Sequence, residues 1–186
     1  MNISEIKTAL ENNPIIAAVH DEDFEAALSY PGEIIFYLKA NILTLPERIK
    51  AAHDRGKKLF VHIDLADGLG KDKWGVSYLA RLNADGVIST KSQSIKQANE
   101  LGLITIQRFF ALDSQGLNSM KEMLQNTNPD FIEIMPGVIA KVIEEFSSKG
   151  ISVIASGLIE TKGEVMAAIS SGAIAVSTGK RELWYV

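Results

Sequence analysis

The sequence predicts an α/β protein, a compact (β/α)8 TIM-like barrel with an extra N-terminal helix. Three observations predict it. Short β-rich runs alternate with helical patterns along the whole chain, and alternating βα units imply a parallel sheet with helices outside it. There are eight such runs, which favours a closed barrel over a doubly wound sheet. The seventh and eighth are each followed by a turn of small residues, at the place where such barrels commonly hold a phosphate.

Taken in order, a helix over Ser4–Glu11 precedes the first strand and is placed to cover the barrel bottom. Strands are expected at Ile15–Val19, Glu33–Leu38, Lys58–Ile63, Asp85–Ser89, Leu103–Gln107, Asp130–Ile134, Ser152–Ala155 and Ile174–Ser177, each followed by a segment of helical spacing or length. Thr44-x-x-Glu47 and Thr161-x-x-Glu164 fit capping boxes, in which a hydroxyl and a carboxylate satisfy N–H groups that a first helical turn leaves unpaired. Gly56, Gly102 and Gly150 each end a helical run before a strand. A stub of a last helix is expected at Lys180–Tyr185. One domain is expected over residues 1–186, a small barrel against the usual minimum of about 200 residues.

Composition narrows the function classes. Hydrophobic residues at 46% and charged residues at 23% are ordinary for a soluble domain. With no cysteine there is no disulfide framework, thiolate metal site or thiol nucleophile. Histidine is limited to His20, His53 and His62, and no metal site or cofactor is expected. The start MNISEIKTALENN is acidic and lacks a long apolar run, so no signal peptide is expected. Without an apolar stretch near 20 residues, no membrane association is expected and the cytoplasm is the default location. A net charge of −4 argues against a non-specific nucleic-acid binder. The basic cluster Arg48, Lys50, Arg55, Lys57 and Lys58 reads as a solvated helix face. A homo-oligomer stays open.

Side chains alternate along strands, which sorts the polar residues by face. His62 and Asp64 lie two apart at the end of the third strand, Lys39 ends the second, and Gln107 and Arg108 end the fifth. Glu133 shares its parity with Phe131 and Met135, opposite to Ile132 and Ile134; if the isoleucines pack on helices, Glu133 points into the barrel. Pairing among these charges alone would satisfy them, but their convergence at C-terminal strand ends favours a ligand site with Lys39, His62, Asp64, Arg108 and Glu133 around it. The phosphate elements are Ser156-Gly157-Leu158 and Ser177-Thr178-Gly179-Lys180, whose backbone N–H groups can hold an anion. DGLGKDKWG reads as a loop over the mouth with glycines at lid-hinge positions. Dinucleotide, Walker A, HExxH and GxSxG motifs are absent.

Together VHIDLADGLG, ADGVISTK, IQRFFALDS, PDFIEIMPG, ASGLIET and AVSTGKRELW resemble the glycerol uptake operon antiterminator regulatory proteins, the GlpP family, over nearly the whole chain. The resemblance implies a barrel that senses glycerol 3-phosphate and, when liganded, acts on leader mRNA to prevent premature termination of glycerol-utilisation genes. It implies that Ser156, Gly157, Ser177, Thr178 and Gly179 hold the phosphate, with His62, Asp64, Arg108 and Glu133 around the glycerol end. The chain departs from the family pattern at Ser156, where a glycine is common, and at Gly179, where a small polar residue is common. Two alternatives stand beside the regulator. One is a barrel enzyme on a small phosphorylated substrate, with Glu133 or Asp64 as base, His62 as acid and Arg108 as clamp. The other is a ligand-binding barrel with a protein partner.

Overall fold

Eight parallel strands close into a barrel, each paired with the next and β8 with β1, in the computed structural model, which describes residues 2–186. The strands are β1 (Ile15–Val19), β2 (Ile34–Tyr37), β3 (Lys58–His62), β4 (Gly86–Ser89), β5 (Ile104–Phe110), β6 (Phe131–Met135), β7 (Val153–Ser156) and β8 (Ala175–Thr178). The helices are α1 (Ile3–Asn12), α2 (Phe24–Ser29), α3 (Leu45–Asp54), α4 (Lys73–Arg81), α5 (Ser92–Glu100), α6 (Ser114–Thr127), α7 (Ala140–Ser147) and α8 (Lys162–Ser170). The expected barrel and its extra N-terminal helix are both present. The C-terminal stub is a 3-10 turn, Arg181–Tyr185, rather than an α-helix. Its Trp184 indole N–H donates to the Thr178 carbonyl at 2.9 Å and so ties the chain end to β8.

Alternation along the strands divides the apolar residues into two clusters. Ile16, Phe36, Phe60, Ile88, Ile106, Phe131 and Ile154 fill the barrel, and Ile6, Ala9 and Leu10 of α1 join them, so α1 closes the N-terminal end. Residues of opposite parity, such as Ala17, Ile35, Val61, Val87, Ile132 and Val153, pack against the surrounding helices. Burial of this kind contributes about 25 cal/mol per Å² of apolar surface. Gly86 faces inward, where a Cβ would stand 2.5 Å from the Phe60 ring; its bare backbone makes room for that plug residue.

The two expected capping boxes differ in outcome. At Thr161 both halves form: Glu164 N–H donates to Thr161 Oγ1 at 3.2 Å, and Thr161 N–H to Glu164 Oε2 at 2.9 Å. At Thr44 neither forms, because its hydroxyl turns back to the Asn41 carbonyl at 3.4 Å. The stops at Gly56, Gly102 and Gly150 all have positive φ, the left-handed geometry of a helix end. The basic cluster is not a uniformly solvated face. Lys57 is buried and its ammonium donates to the Tyr30 and Gly32 carbonyls, while Arg48 pairs with Asp21 and Glu25.

The DGLGKDKWG segment is anchored rather than hinged. Asp67 N–H donates to the Ala40 carbonyl at 2.7 Å and Ile42 N–H to the Asp67 carbonyl at 3.0 Å. Leu69 is buried, and Asp72 caps α4, which begins inside the segment. Among the described residues no helix is long and apolar enough to cross a membrane.

Candidate functional site

Above the apolar plug the inward positions become polar. They carry His62 on β3, Arg108 on β5, Glu133 on β6, Ser156 on β7 and Ser177 on β8. The register sets Arg108 beside Glu133 and Ser156 beside Ser177. Glu133 is fully buried and points inward, as its parity predicts. Arg108 meets it through two parallel bonds, Nε to Oε2 at 2.7 Å and a terminal nitrogen to Oε1 at 3.2 Å. This forked geometry compensates a carboxylate that burial would otherwise penalise heavily.

Beside Arg108 opens a cavity of about 370 Å³. Its walls include all seven residues expected at the phosphate: Ser156, Gly157, Leu158, Ser177, Thr178, Gly179 and Lys180. Several features of the wall suit an anion. The backbone N–H groups of Gly157, Leu158 and Gly179 make no hydrogen bond within the described residues. The Ser177 hydroxyl is buried without a partner among the described residues. Arg108 and Lys180 bring positive charge to the wall, against one carboxylate, Glu160.

The turn after β7 is held in an uncommon conformation. Gly157 and Leu158 have φ of +73° and +59°; for a leucine this costs of order 1–2 kcal/mol. A neighbouring turn stabilises it, since Gly137 N–H donates to the carbonyls of Ser156 at 2.6 Å and Gly157 at 3.1 Å. Sequence reasoning missed Ala18, Leu38, Met135, Ile159 and Glu160 on the cavity wall. Parity would have found Leu38 and Met135, which continue the inward rows of β2 and β6. Glu160 has no comparable signal.

The expected glycerol end is only partly assembled. Arg108 lines the cavity, and Glu133 lies behind it as its partner. Lys39 does not join them. β2 ends at Tyr37, the inward position falls to Leu38, and Lys39 is exposed with Asp67 at 3.8 Å. Asp64 also departs, because a 3-10 turn over Ile63–Leu65 breaks the strand alternation right after His62. Its carboxylate accepts from Ser89 Oγ, Thr90 N–H and Thr90 Oγ1 at 2.7–2.8 Å. Burial alone would raise its pKa, but these bonds and the nearby His62 bring it below the usual value. Gln107 points outward and accepts from Thr127 Oγ1 at 2.6 Å.

His62 is buried, and neither ring nitrogen has a hydrogen-bond partner among the described residues. Burial, reinforced by the Arg108 charge, pulls its pKa down to about 4. The unfolded chain takes up this proton near pH 6.5, so stability is complete above that pH and falls as pH drops towards 4. The expected loss is about 2–3 kcal/mol. Melting curves between pH 7 and 4.5 should flatten in His62→Leu; an unchanged pH slope would remove His62 as the cause. The contribution of Asp64 has a lower window, since its depressed value holds stability above about pH 4 and loses it below.

Among the described residues no group of three or more His, Cys, Asp or Glu side chains is placed to hold a metal.

Comparison with known proteins adds a family context. The family model described as glycerol-3-phosphate responsive antiterminator matches residues 15–184. The crystal structure of a glycerol uptake operon antiterminator regulatory protein from Listeria monocytogenes str. 4b F2365 is 37% identical, with a TM-score of 0.89 over 93% of this chain and 95% of that one. A glycerol uptake operon antiterminator-related protein from Thermotoga maritima MSB8 is 34% identical, with a TM-score of 0.83 over 91% and 96%. The uncharacterized protein YgcP of Escherichia coli (strain K12) is 34% identical over 94% of this chain and 93% of its own length.

Proposed function

The chain belongs to the glycerol-3-phosphate responsive antiterminator family, and from that premise we propose that it binds glycerol 3-phosphate at the barrel mouth and acts on the leader mRNA of glycerol-utilisation genes. The phosphate sits between Ser156-Gly157-Leu158 and Ser177-Thr178-Gly179-Lys180, and Arg108, backed by Glu133, reaches it from β5. One observation carries this reading. Three N–H groups and a buried hydroxyl that find no partner among the described residues border a single cavity that also holds a guanidinium. Donors without acceptors in that number call for an anion.

The enzyme alternative is weaker at this mouth. Both carboxylates that would serve as base are engaged, Glu133 by Arg108 and Asp64 by Ser89 and Thr90. A base must be within reach of a substrate proton, and neither group lines the cavity.

Glycerol 3-phosphate at about 100 times its Kd should stabilise the native state by roughly 2.7 kcal/mol. For a chain of this size that is a melting shift of about 5–11 °C. A shift with inorganic phosphate or another sugar phosphate, but none with millimolar glycerol 3-phosphate, would sink the ligand assignment. Leader-RNA affinity should fall linearly in log[salt], by about 0.7 per phosphate neutralised, and should change with glycerol 3-phosphate.

A further inference from the structure

The mouth is also where this fold exposes its apolar side chains. Among the described residues, seven of the eleven exposed large apolar side chains lie at C-terminal strand ends, in βα connections or in first helical turns. Their bias to one end makes the mouth the candidate interaction face. One sector of it has a distinct chemistry. α4 packs on α5 and α5 on α6, so the connections from β3, β4 and β5 stand side by side. Trp74 in the first turn of α4 is 71% exposed, Phe110 at the end of β5 is 51% exposed, and Leu112 beyond it is 80% exposed. Between and beside them lie the exposed Lys71, Lys73 and Lys91.

Resting on the leader-mRNA reading above, we infer that this sector binds an unpaired RNA strand, with bases stacked on Trp74 and Phe110 and phosphates held by Lys71, Lys73 and Lys91. The free ammonium groups favour that occupant. None of the three lysines forms an ion pair among the described residues. The carboxylates of the sector are all engaged: Asp72 and Asp113 cap α4 and α6, Asp64 is held by Ser89 and Thr90, and Asp67 faces Lys39. The Lys73 ammonium stands 4.9 Å from the centre of the Trp74 ring, so a stacking surface and a phosphate-seeking charge share one footprint. Exposed aromatic faces flanked by cations select unstacked bases. A protein partner of ordinary chemistry would meet a more continuous apolar patch with fewer lysines.

The test measures binding of a labelled leader transcript with glycerol 3-phosphate present, for the wild type, Trp74→Ala, Phe110→Ala and the double variant Lys71→Glu/Lys73→Glu. The glycerol 3-phosphate melting shift is followed in each, since none of these residues lines the cavity. Each aromatic replacement should weaken RNA binding roughly 5- to 150-fold, and the double variant should flatten the salt dependence, with the melting shift intact. Wild-type RNA affinity in all three variants would overturn the surface while leaving the leader-mRNA reading in place. A change in sedimentation instead of RNA affinity would assign the sector to a second copy and overturn the RNA occupant. No transcript binding by the wild type would defeat the leader-mRNA reading itself, and this surface with it.

Discussion

Glu133→Ala is expected to lower the melting temperature by about 6–20 °C. Its carboxylate is fully buried, and among the described residues its only partner is Arg108, held by two bonds. Removing one member of such a pair leaves an uncompensated buried charge, at a cost of about 3–5 kcal/mol, and each kcal/mol moves the midpoint by roughly 2–4 °C at this chain length. Replacing both members by apolar residues, as in Arg108→Met/Glu133→Leu, should destabilise less than the single change. A ligand effect separates this site from a purely structural pair. Arg108 lines the anion cavity, so glycerol 3-phosphate should restore more stability to Glu133→Ala than it adds to the wild type. Equal increments in the two proteins would show that the guanidinium does not meet the phosphate.

Gly137→Ala is expected to remove most of the ligand-induced melting shift, because it acts on a turn that holds another turn. An added Cβ would lie 2.5 Å from the Ser156 nitrogen, 2.8 Å from the Ile159 side chain and 2.9 Å from the Ala155 carbonyl carbon. Two of those neighbours are backbone, so the β7 turn itself must move. The same displacement strains the bonds from Gly137 N–H to the Ser156 and Gly157 carbonyls. Overpacking of this kind costs about 1–3 kcal/mol, which lowers the midpoint of the free protein by about 2–12 °C. At Gly163, near the start of α8, an added Cβ would make only an ordinary contact, 3.8 Å from the Thr161 hydroxyl oxygen, and Gly163→Ala serves as the control that keeps the ligand shift. Retention of the full shift in Gly137→Ala would mean that the β7 turn does not shape the anion site.

These two residues also show which features are legible in the sequence. Alternation is a local property, so the parity of FIEIM alone places Glu133 inside the barrel. Repetition of βα units is likewise local in composition, and all eight strands can be read from it. Where alternation stops depends on partners distant in sequence. Lys39 and Asp64 fall outside the expected site because β2 ends at Tyr37 and β3 at His62, after which the backbone turns. β5 runs on to Phe110, past the expected Gln107, because its far end pairs with β6. The Thr44 box fails through competition, since Asn41 offers that hydroxyl an acceptor. The support that Gly137 gives Gly157 joins two turns twenty residues apart, and no spacing rule within either turn encodes it.

The apolar plug of Ile16, Phe36, Phe60, Ile106 and Phe131, packed from below against α1, closes the barrel interior beneath the anion cavity. A small ligand therefore has no route along the barrel axis and approaches from the mouth side. Any macromolecule that spans the mouth can trap a ligand already seated but cannot admit one afterwards. For an RNA bound across the mouth under the proposed function, occupancy would be decided before engagement, and the lifetime of the bound RNA would set a floor on the residence time of the ligand beneath it.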